Sequence, residues 1–204
     1  MKNLILLSVL GMIALSGCQK RPDSTISNMQ QAVIDEATAS VTYTAFEVKA
    51  TEENLPTIAK MFQALARSEH NHAERYKEFL DEWDVNVKDF DPNYALNDTR
   101  KNLLKAIEME SYCVDSLYPK CLKDAQAESQ TEISEMLQWA SNVEKKHLEL
   151  LQNALKMYDT QRDSLQNLPN GYTVCPICGC TKELSTPVDN CKNCGTSGNL
   201  LIQL

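Results

Sequence analysis

The sequence predicts an all-α protein, a four-helix bundle followed by a small metal-binding tail. Three observations predict it. Apolar residues recur at helical spacing over four long stretches; only 6 glycines and 6% aromatic residues are present in 204; and two Cys-x-x-Cys pairs are confined to the C-terminal end. Strand-rich folds draw more heavily on aromatic and β-branched residues and on glycine turns. A hydrophobic content of 43% against 24% charged suffices for one good core plus an appendage. The net charge of -8 and a pI near 4.9 leave no basic surface to neutralise phosphates, which excludes nucleic acid as a partner, and an acidic polymer equally.

The chain opens on Lys2, an apolar run from Leu4 to Leu15, and then Ser16-Gly17-Cys18. Twelve helical residues rise about 18 Å, too little for a hydrocarbon core of about 30 Å, so residues 1–17 read as a secretory signal peptide and not a membrane span. The small residues before Cys18 resemble a bacterial lipobox. That resemblance implies a lipidated Cys18 as the mature N-terminus, residues 18–26 as a tether, and a protein held on a membrane of the bacterial cell envelope, outside the cytoplasm.

The first helix is expected from Ser27 to about Glu52, where Val33, Ala37, Val41 and Ala45 recur without Gly or Pro. The second runs from Leu55 to Leu80 on Ile58, Met61, Phe62, Leu65 and Ala66, with Pro56 near its start, where a missing N–H is harmless. Residues 82–97, with Asp91-Pro92-Asn93, carry no helical stripe and are long enough to cross a bundle. The third helix is expected from about Asp98 to Ala127, with Pro119 bending it or removing one hydrogen bond. The fourth, from about Thr131 to Gln161, shows Ile133, Leu137, Ala140, Val143 and Leu150. Four long helices with one long central connection imply a ferritin-like bundle over residues 27–162.

Two of the three histidines follow a glutamate by three residues, in Glu69-His70-Asn71-His72 and Glu144-Lys145-Lys146-His147. Residues three apart on a helix lie about 60° apart, so each pair can present a carboxylate and an imidazole to one inward-facing metal ion. Glu-x-x-His on two helices, with one further Glu from each of the other two, is the ligand pattern of di-iron bundles of this kind. Candidates are Glu36 and Glu47 on the first helix and Glu108 and Glu110 on the third. His70 points about 160° from His72 and is expected to be exposed.

Glu36 followed by Tyr43, and Glu110 followed by Tyr118-Pro119, resemble the first- and third-helix motifs of the rubrerythrin family. The resemblance selects Glu36 and Glu110 as ligands and leaves Glu47 and Glu108 as solvated helix-face residues. It implies that Tyr43 and Tyr118 hydrogen-bond the ligating carboxylates and hold them in place. Glu36 precedes Glu69 by thirty-three residues and Glu110 precedes Glu144 by thirty-four, which suggests a repeat of two helical hairpins. One position departs from the family: its usual second third-helix glutamate is Cys113 here, which is a soft ligand, a redox-active thiol or a small packing residue. Cys121, about 12 Å further along an intact helix, lies beyond disulfide reach of it.

After Asn167-Leu168-Pro169-Asn170-Gly171, read as part of a flexible linker over residues 163–173, come Cys175-Pro-Ile-Cys178-Gly179 and, twelve residues on, Cys191-Lys-Asn-Cys194-Gly195. Two such knuckles provide four thiolates for one ion, and a structural zinc ribbon or a pair of disulfides are the competing readings. Joined to a rubrerythrin-like bundle, residues 174–204 resemble that family's rubredoxin-like domain, which implies one iron in place of zinc. Cys180 falls outside the set as a spare thiol.

The resemblance covers nearly all of the mature chain. It implies two iron ions in the bundle bound by Glu36, Glu69, His72, Glu110, Glu144 and His147, and a third ion on Cys175, Cys178, Cys191 and Cys194. The implied activity is a peroxidase that reduces hydrogen peroxide to water in oxidative-stress defence, drawing electrons through the four-cysteine centre. An unidentified donor supplies them, since no nicotinamide or flavin pattern is present. The family also implies a head-to-tail homodimer, the tail of one subunit beside the di-iron site of the other. The alternatives are an iron-handling ferroxidase that uses dioxygen, and a zinc-bearing lipoprotein that binds a protein partner.

Overall fold

A computed structural model describes residues 20–204. The expected signal peptide and the expected lipidation site, Cys18, lie outside the described residues. The chain forms helix α1 (Asp23–Glu52), α2 (Pro56–Glu82), α3 (Thr99–Tyr112), a π-helical turn (Cys113–Leu117), α4 (Tyr118–Ala127) and α5 (Thr131–Thr160). A 3-10 turn (Arg162–Asn167) leads into three short strands, β1 (Tyr172–Val174), β2 (Thr181–Glu183) and β3 (Ile202–Gln203), paired antiparallel in the order β2-β1-β3. No helix among the described residues is long and apolar enough to cross a membrane.

α1 begins four residues earlier than expected, at Asp23, inside the stretch that the sequence suggested as a tether. A distant side chain is the reason. The Glu128 carboxylate, from the turn between α4 and α5, accepts from the Ser24 and Thr25 N–H groups at 3.0 and 2.8 Å and from the Thr25 hydroxyl at 2.7 Å, satisfying donors that every helix start leaves open. Ile26 and Met29 are then buried. α1 turns into α2 through Asn54 at φ 58°, with Pro56 at the start of α2. Residues 85–98 cross without regular structure until Asp98 caps α3, its carboxylate accepting from the Lys101 N–H at 2.9 Å.

α3, the π turn and α4 together make the third rod of the bundle. Pro119 neither ends it nor sharply breaks it: the helix widens just before the ring, with the Tyr118 N–H bonded to the Cys113 carbonyl five residues back.

Two apolar clusters fill the bundle. One holds Tyr43, Phe46, Phe62, Leu65, Leu103 and Leu151; the other holds Met29, Val33, Tyr76, Leu80, Tyr118 and Leu137. Each such side chain contributes roughly 1.5–3 kcal/mol by leaving water. Along every rod the polar ligand residues fall between the two clusters: Glu36 between Val33 and Tyr43, Glu69 and His72 between Leu65 and Tyr76, Glu110 between Ala106 and Leu117, Glu144 and His147 between Ala140 and Leu151. The apolar halves thus hold the four rods at fixed spacing around a polar waist.

The linker is not the free segment its composition suggested. Leu165 and Leu168 are buried against the bundle, and the Leu165 carbonyl accepts from the Thr57 hydroxyl at 2.9 Å. The tail starts at Tyr172, whose N–H and carbonyl pair with Leu204 at 3.1 and 2.9 Å.

Candidate metal centres

At the waist, Glu36, Glu69, His72 and Glu144 bring one donor atom each within 4.8 Å of one another, and Glu69, Glu110, Glu144 and His147 do the same. All six residues are buried, and Glu69 and Glu144 belong to both groups. The six residues expected from the sequence are therefore the ones brought together. Glu108 is exposed and paired with Lys105 at 3.1 Å, Glu47 is half-buried outside both groups, and His70 is exposed.

The donor atoms converge, but only His147 Nδ1 and Glu144 Oε2 satisfy one another. His72 Nδ1 lies 3.2 Å from Glu69 Oε2 and 3.1 Å from Glu144 Oε1, and His147 Nδ1 lies 3.0 Å from Glu69 Oε1 and 3.2 Å from Glu144 Oε2. Yet both Glu69 oxygens and His72 Nδ1 are buried with no hydrogen-bond partner. Leaving such groups unpaired costs on the order of 1–3 kcal/mol each. Lone pairs of carboxylate and imidazole aimed at two common points are what a pair of cations requires, and four carboxylates balance two divalent charges. The residues fit a di-iron centre, in which Glu69 and Glu144 would serve both ions.

Without metal, the charges there are strained. Burial and the charges of Glu144 and Glu69 push Glu36 well above the usual carboxylate range, and the same causes push Glu110 up. Burial would raise Glu144, but hydrogen bonds and charge from His147 and His72 outweigh it and hold it well below. Burial would lower His147; the charge and close approach of Glu69 and the hydrogen bond to Glu144 prevail and lift it to about 9.

Tyrosines brace the outer carboxylates. The Tyr43 hydroxyl donates to Glu110 Oε1 and the Tyr118 hydroxyl to Glu36 Oε1, each at 2.5 Å. Tyr76, which sequence reasoning missed, shares a 2.9 Å hydrogen bond with the Tyr118 hydroxyl and stacks on the His72 ring. Cys113 belongs to neither ligand group. It packs against the apolar cluster around Tyr118, and burial with four nearby carboxylates pushes its thiol far up, so it is a neutral wall residue.

In the tail, the four expected sulfurs form the third group, with Cys175 to Cys194 and Cys178 to Cys191 each 3.6 Å apart and unbonded. Ligands about 2.3 Å from a tetrahedral ion stand about 3.8 Å from one another, so the set fits one metal and not two disulfides. Gly179 and Gly195, at φ 72° and 81°, close the two knuckles, their N–H groups bonding Cys175 and Cys191 carbonyls at 3.0 and 2.8 Å. Cys180 stays outside the set; burial and the charge of Cys191 push it up to about 12.

The tail is seated on its own chain's bundle. The Ser68 hydroxyl donates to the Gly179 carbonyl at 2.7 Å, Asn71 Nδ2 to the Cys175 carbonyl at 3.1 Å, and Asn193 Nδ2 to the Trp139 carbonyl at 3.0 Å. His72 Nε2 lies 3.1 Å from the Cys178 carbonyl and His147 Nε2 3.2 Å from the Thr181 hydroxyl. Both imidazoles thus offer Nδ1 to the waist and Nε2 to the tail. Within this chain the tail therefore lies beside the ligand residues of its own bundle. None of Ser68, Asn71, Gly179 or Thr181 carries a sequence signal for this contact.

Known proteins share this fold. The family model described as Rubrerythrin matches residues 27–155. Rubrerythrin-2 of Clostridium acetobutylicum is 29% identical over 173 residues, 84% of this chain and 91% of that protein. Nigerythrin of Nitratidesulfovibrio vulgaris is 27% identical over 159 residues, 76% of this chain and 75% of that one. The solved structure of fully reduced, all-ferrous nigerythrin superposes with a TM-score of 0.76 at 23% identity over the whole of both chains. The di-iron bacterioferritin of Desulfovibrio desulfuricans gives 0.67 at 15% identity over 74% of this chain and 90% of that one.

Proposed function

The chain belongs to the rubrerythrin family, and on that premise we propose that it is a peroxidase of oxidative-stress defence, reducing hydrogen peroxide to two waters with two electrons and two protons. Two ferrous ions at the waist would supply one electron each, the number that cleaving one O–O bond demands. Glu69 and Glu144, common to both groups, would be shared by the two ions, with His72 and Glu36 holding one and His147 and Glu110 the other. Tyr118 and Tyr43 keep their protons, because burial raises both far above neutrality, and so hold Glu36 and Glu110 as fixed acceptors.

The tail is read as a one-electron iron centre that re-reduces the waist, with an unidentified external donor and zinc as the alternative ion. The contact of His72 Nε2 with the Cys178 carbonyl carries this reading: it gives a short bonded route from a sulfur ligand of one centre to an imidazole ligand of the other. As for location, Leu4–Cys18 as a lipoprotein signal would anchor the enzyme to a membrane outside the cytoplasm; metabolic labelling with a fatty acid, lost in Cys18→Ala, tests it. A head-to-tail dimer, with the tail of one subunit beside the di-iron site of the other, would make this contact between chains instead, and sizing by light scattering tests that assembly.

Anaerobic iron loading and reduction, followed by stopped-flow mixing with peroxide, tests the activity. Rapid oxidation of the bundle irons, abolished in Glu69→Ala, is expected; no peroxide-dependent oxidation overturns the reading. A ferroxidase using dioxygen is the second reading, favoured by the plain set of four glutamates and two histidines with Cys113 outside it. Faster oxidation by dioxygen than by peroxide, with ferric iron accumulating beyond two per bundle, would select it.

A further inference from the structure

A cavity of about 260 Å³ leads to the waist between α1, α3 and the crossing segment. Glu36, Glu69, Glu110 and Glu144 stand at its buried end; Ala39, Phe46 and Met109 line it; Tyr94 and Tyr112, 41% and 55% exposed, mark its mouth. A water in the liquid occupies about 30 Å³, and hydrogen peroxide has only one heavy atom more. Two cations at the carboxylate end still leave the outer length unfilled. Thr38, Thr42 and Asn93 line it beside Ala39, Phe46 and Met109, but most of its surface is apolar, and each methylene of an alkyl group buried there would strengthen binding about fourfold. Charge at the mouth narrows the choice further. Lys105 is engaged by Glu108 at 3.1 Å and Asp35 lines the same opening, so an anionic head is not favoured.

We propose that the site also reduces neutral alkyl hydroperoxides, the alkyl group lying against Ala39, Phe46 and Met109 with the hydroperoxide end toward Glu36 and Glu110. This rests on the peroxidase reading. In the reaction ROOH + 2 electrons + 2 protons → ROH + H2O, the O–O bond breaks, the terminal oxygen leaves as water and the inner one stays on carbon as the alcohol. The two ferrous ions are each oxidised by one electron, and solvent supplies the protons.

Two measurements test it. Reduced, iron-loaded protein is mixed with hydrogen peroxide and, separately, with tert-butyl hydroperoxide; rate constants within tenfold of each other are expected. In zinc-loaded protein, which has no redox activity, tert-butanol should produce saturable NMR shifts at the Ala39 and Met109 methyl groups. Ala39→Trp, or the milder Ala39→Leu, should lower the ratio of alkyl to hydrogen peroxide rates, at least tenfold for Trp, and remove the Met109 shift. Oxidation by hydrogen peroxide with a hundredfold slower reaction of the alkyl compound overturns the inference alone, as do unmoved methyl signals. Failure of both oxidants overturns the peroxidase reading and the inference with it.

Discussion

His72 stands between the two metal centres, with Nδ1 among the waist carboxylates and Nε2 3.1 Å from the carbonyl of Cys178, a tail ligand. One imidazole therefore has its second nitrogen oriented by the other centre's own backbone, which fixes both its ring plane and its tautomer, with Nε2 donating.

That contact depends on glycine at position 179. A Cβ there would collide with His72 Nε2 and the Ser68 hydroxyl, and its φ of 72° already disfavours a side chain. Gly179→Ala should push the tail off α2 while leaving all four thiolates. The expected outcome is an intact four-cysteine metal spectrum with re-reduction of the bundle irons slowed at least tenfold, read by stopped-flow absorbance in a single turnover. An unaltered rate would show that electrons do not pass through this contact.

Glu69 and Glu144 are shared by the two ligand groups, whereas Glu36 and Glu110 each serve one. Metal stoichiometry should record the difference. Glu36→Gln is expected to retain one tightly held bundle metal of the two, and Glu69→Ala neither, by elemental analysis after dialysis, with the tail ion unchanged in both.

Tyr118 donates to Glu36 and is itself joined to Tyr76. Tyr118→Phe keeps the ring in the core but removes both bonds, leaving a buried carboxylate without its donor. Loss of such an outer partner costs on the order of 10–100-fold in metal affinity. Competition against a chelator should show this loss for the position held by Glu36 and His72, with little change in the far-ultraviolet helix signal.

Much of this site was legible in the sequence, because ligands on helices must obey helical spacing. Glu110 falls on the stripe of Leu103, Ala106 and Leu117, whereas Glu108 is turned about 160° away, and the structure exposes it. Glu47 was harder to reject. It lies eleven residues from Glu36, about three full turns, hence on nearly the same face but about 16 Å along the axis, and only the position of the other three rods excludes it. Tyr76 shares the stripe of Glu69, but its role depends on the Tyr118 hydroxyl, which the π turn before Pro119 places. The early start of α1 rests on Glu128, over a hundred residues away. The docking of the tail through Ser68, Asn71 and Thr181 is wholly tertiary, so no local pattern announces it.

Metal and protons compete for the same waist, which sets how stability of the metal-free protein varies with pH. His147 is lifted from 6.5 to about 9 in the folded chain, and His72 is also raised: burial opposes both shifts, but the carboxylates of Glu144 and Glu69 outweigh it. A raised folded value means that the folded state holds a proton the unfolded chain has released. The stability this gives is complete below about pH 6.5 and lost as pH rises through 9, about 3 kcal/mol for His147. Glu36 and Glu110, raised as well, act in the same direction from about pH 4.5 upward, while Glu144, lowered, loses its contribution only in acid. The metal-free protein should therefore melt about 5–10 °C lower at pH 9 than at pH 6.5. With the waist loaded, cations replace those protons, so the fall should vanish and loading at pH 7.5 should release protons to an indicator dye. A metal-free protein that melts higher at pH 9 would mean that the waist histidines are neutral when folded.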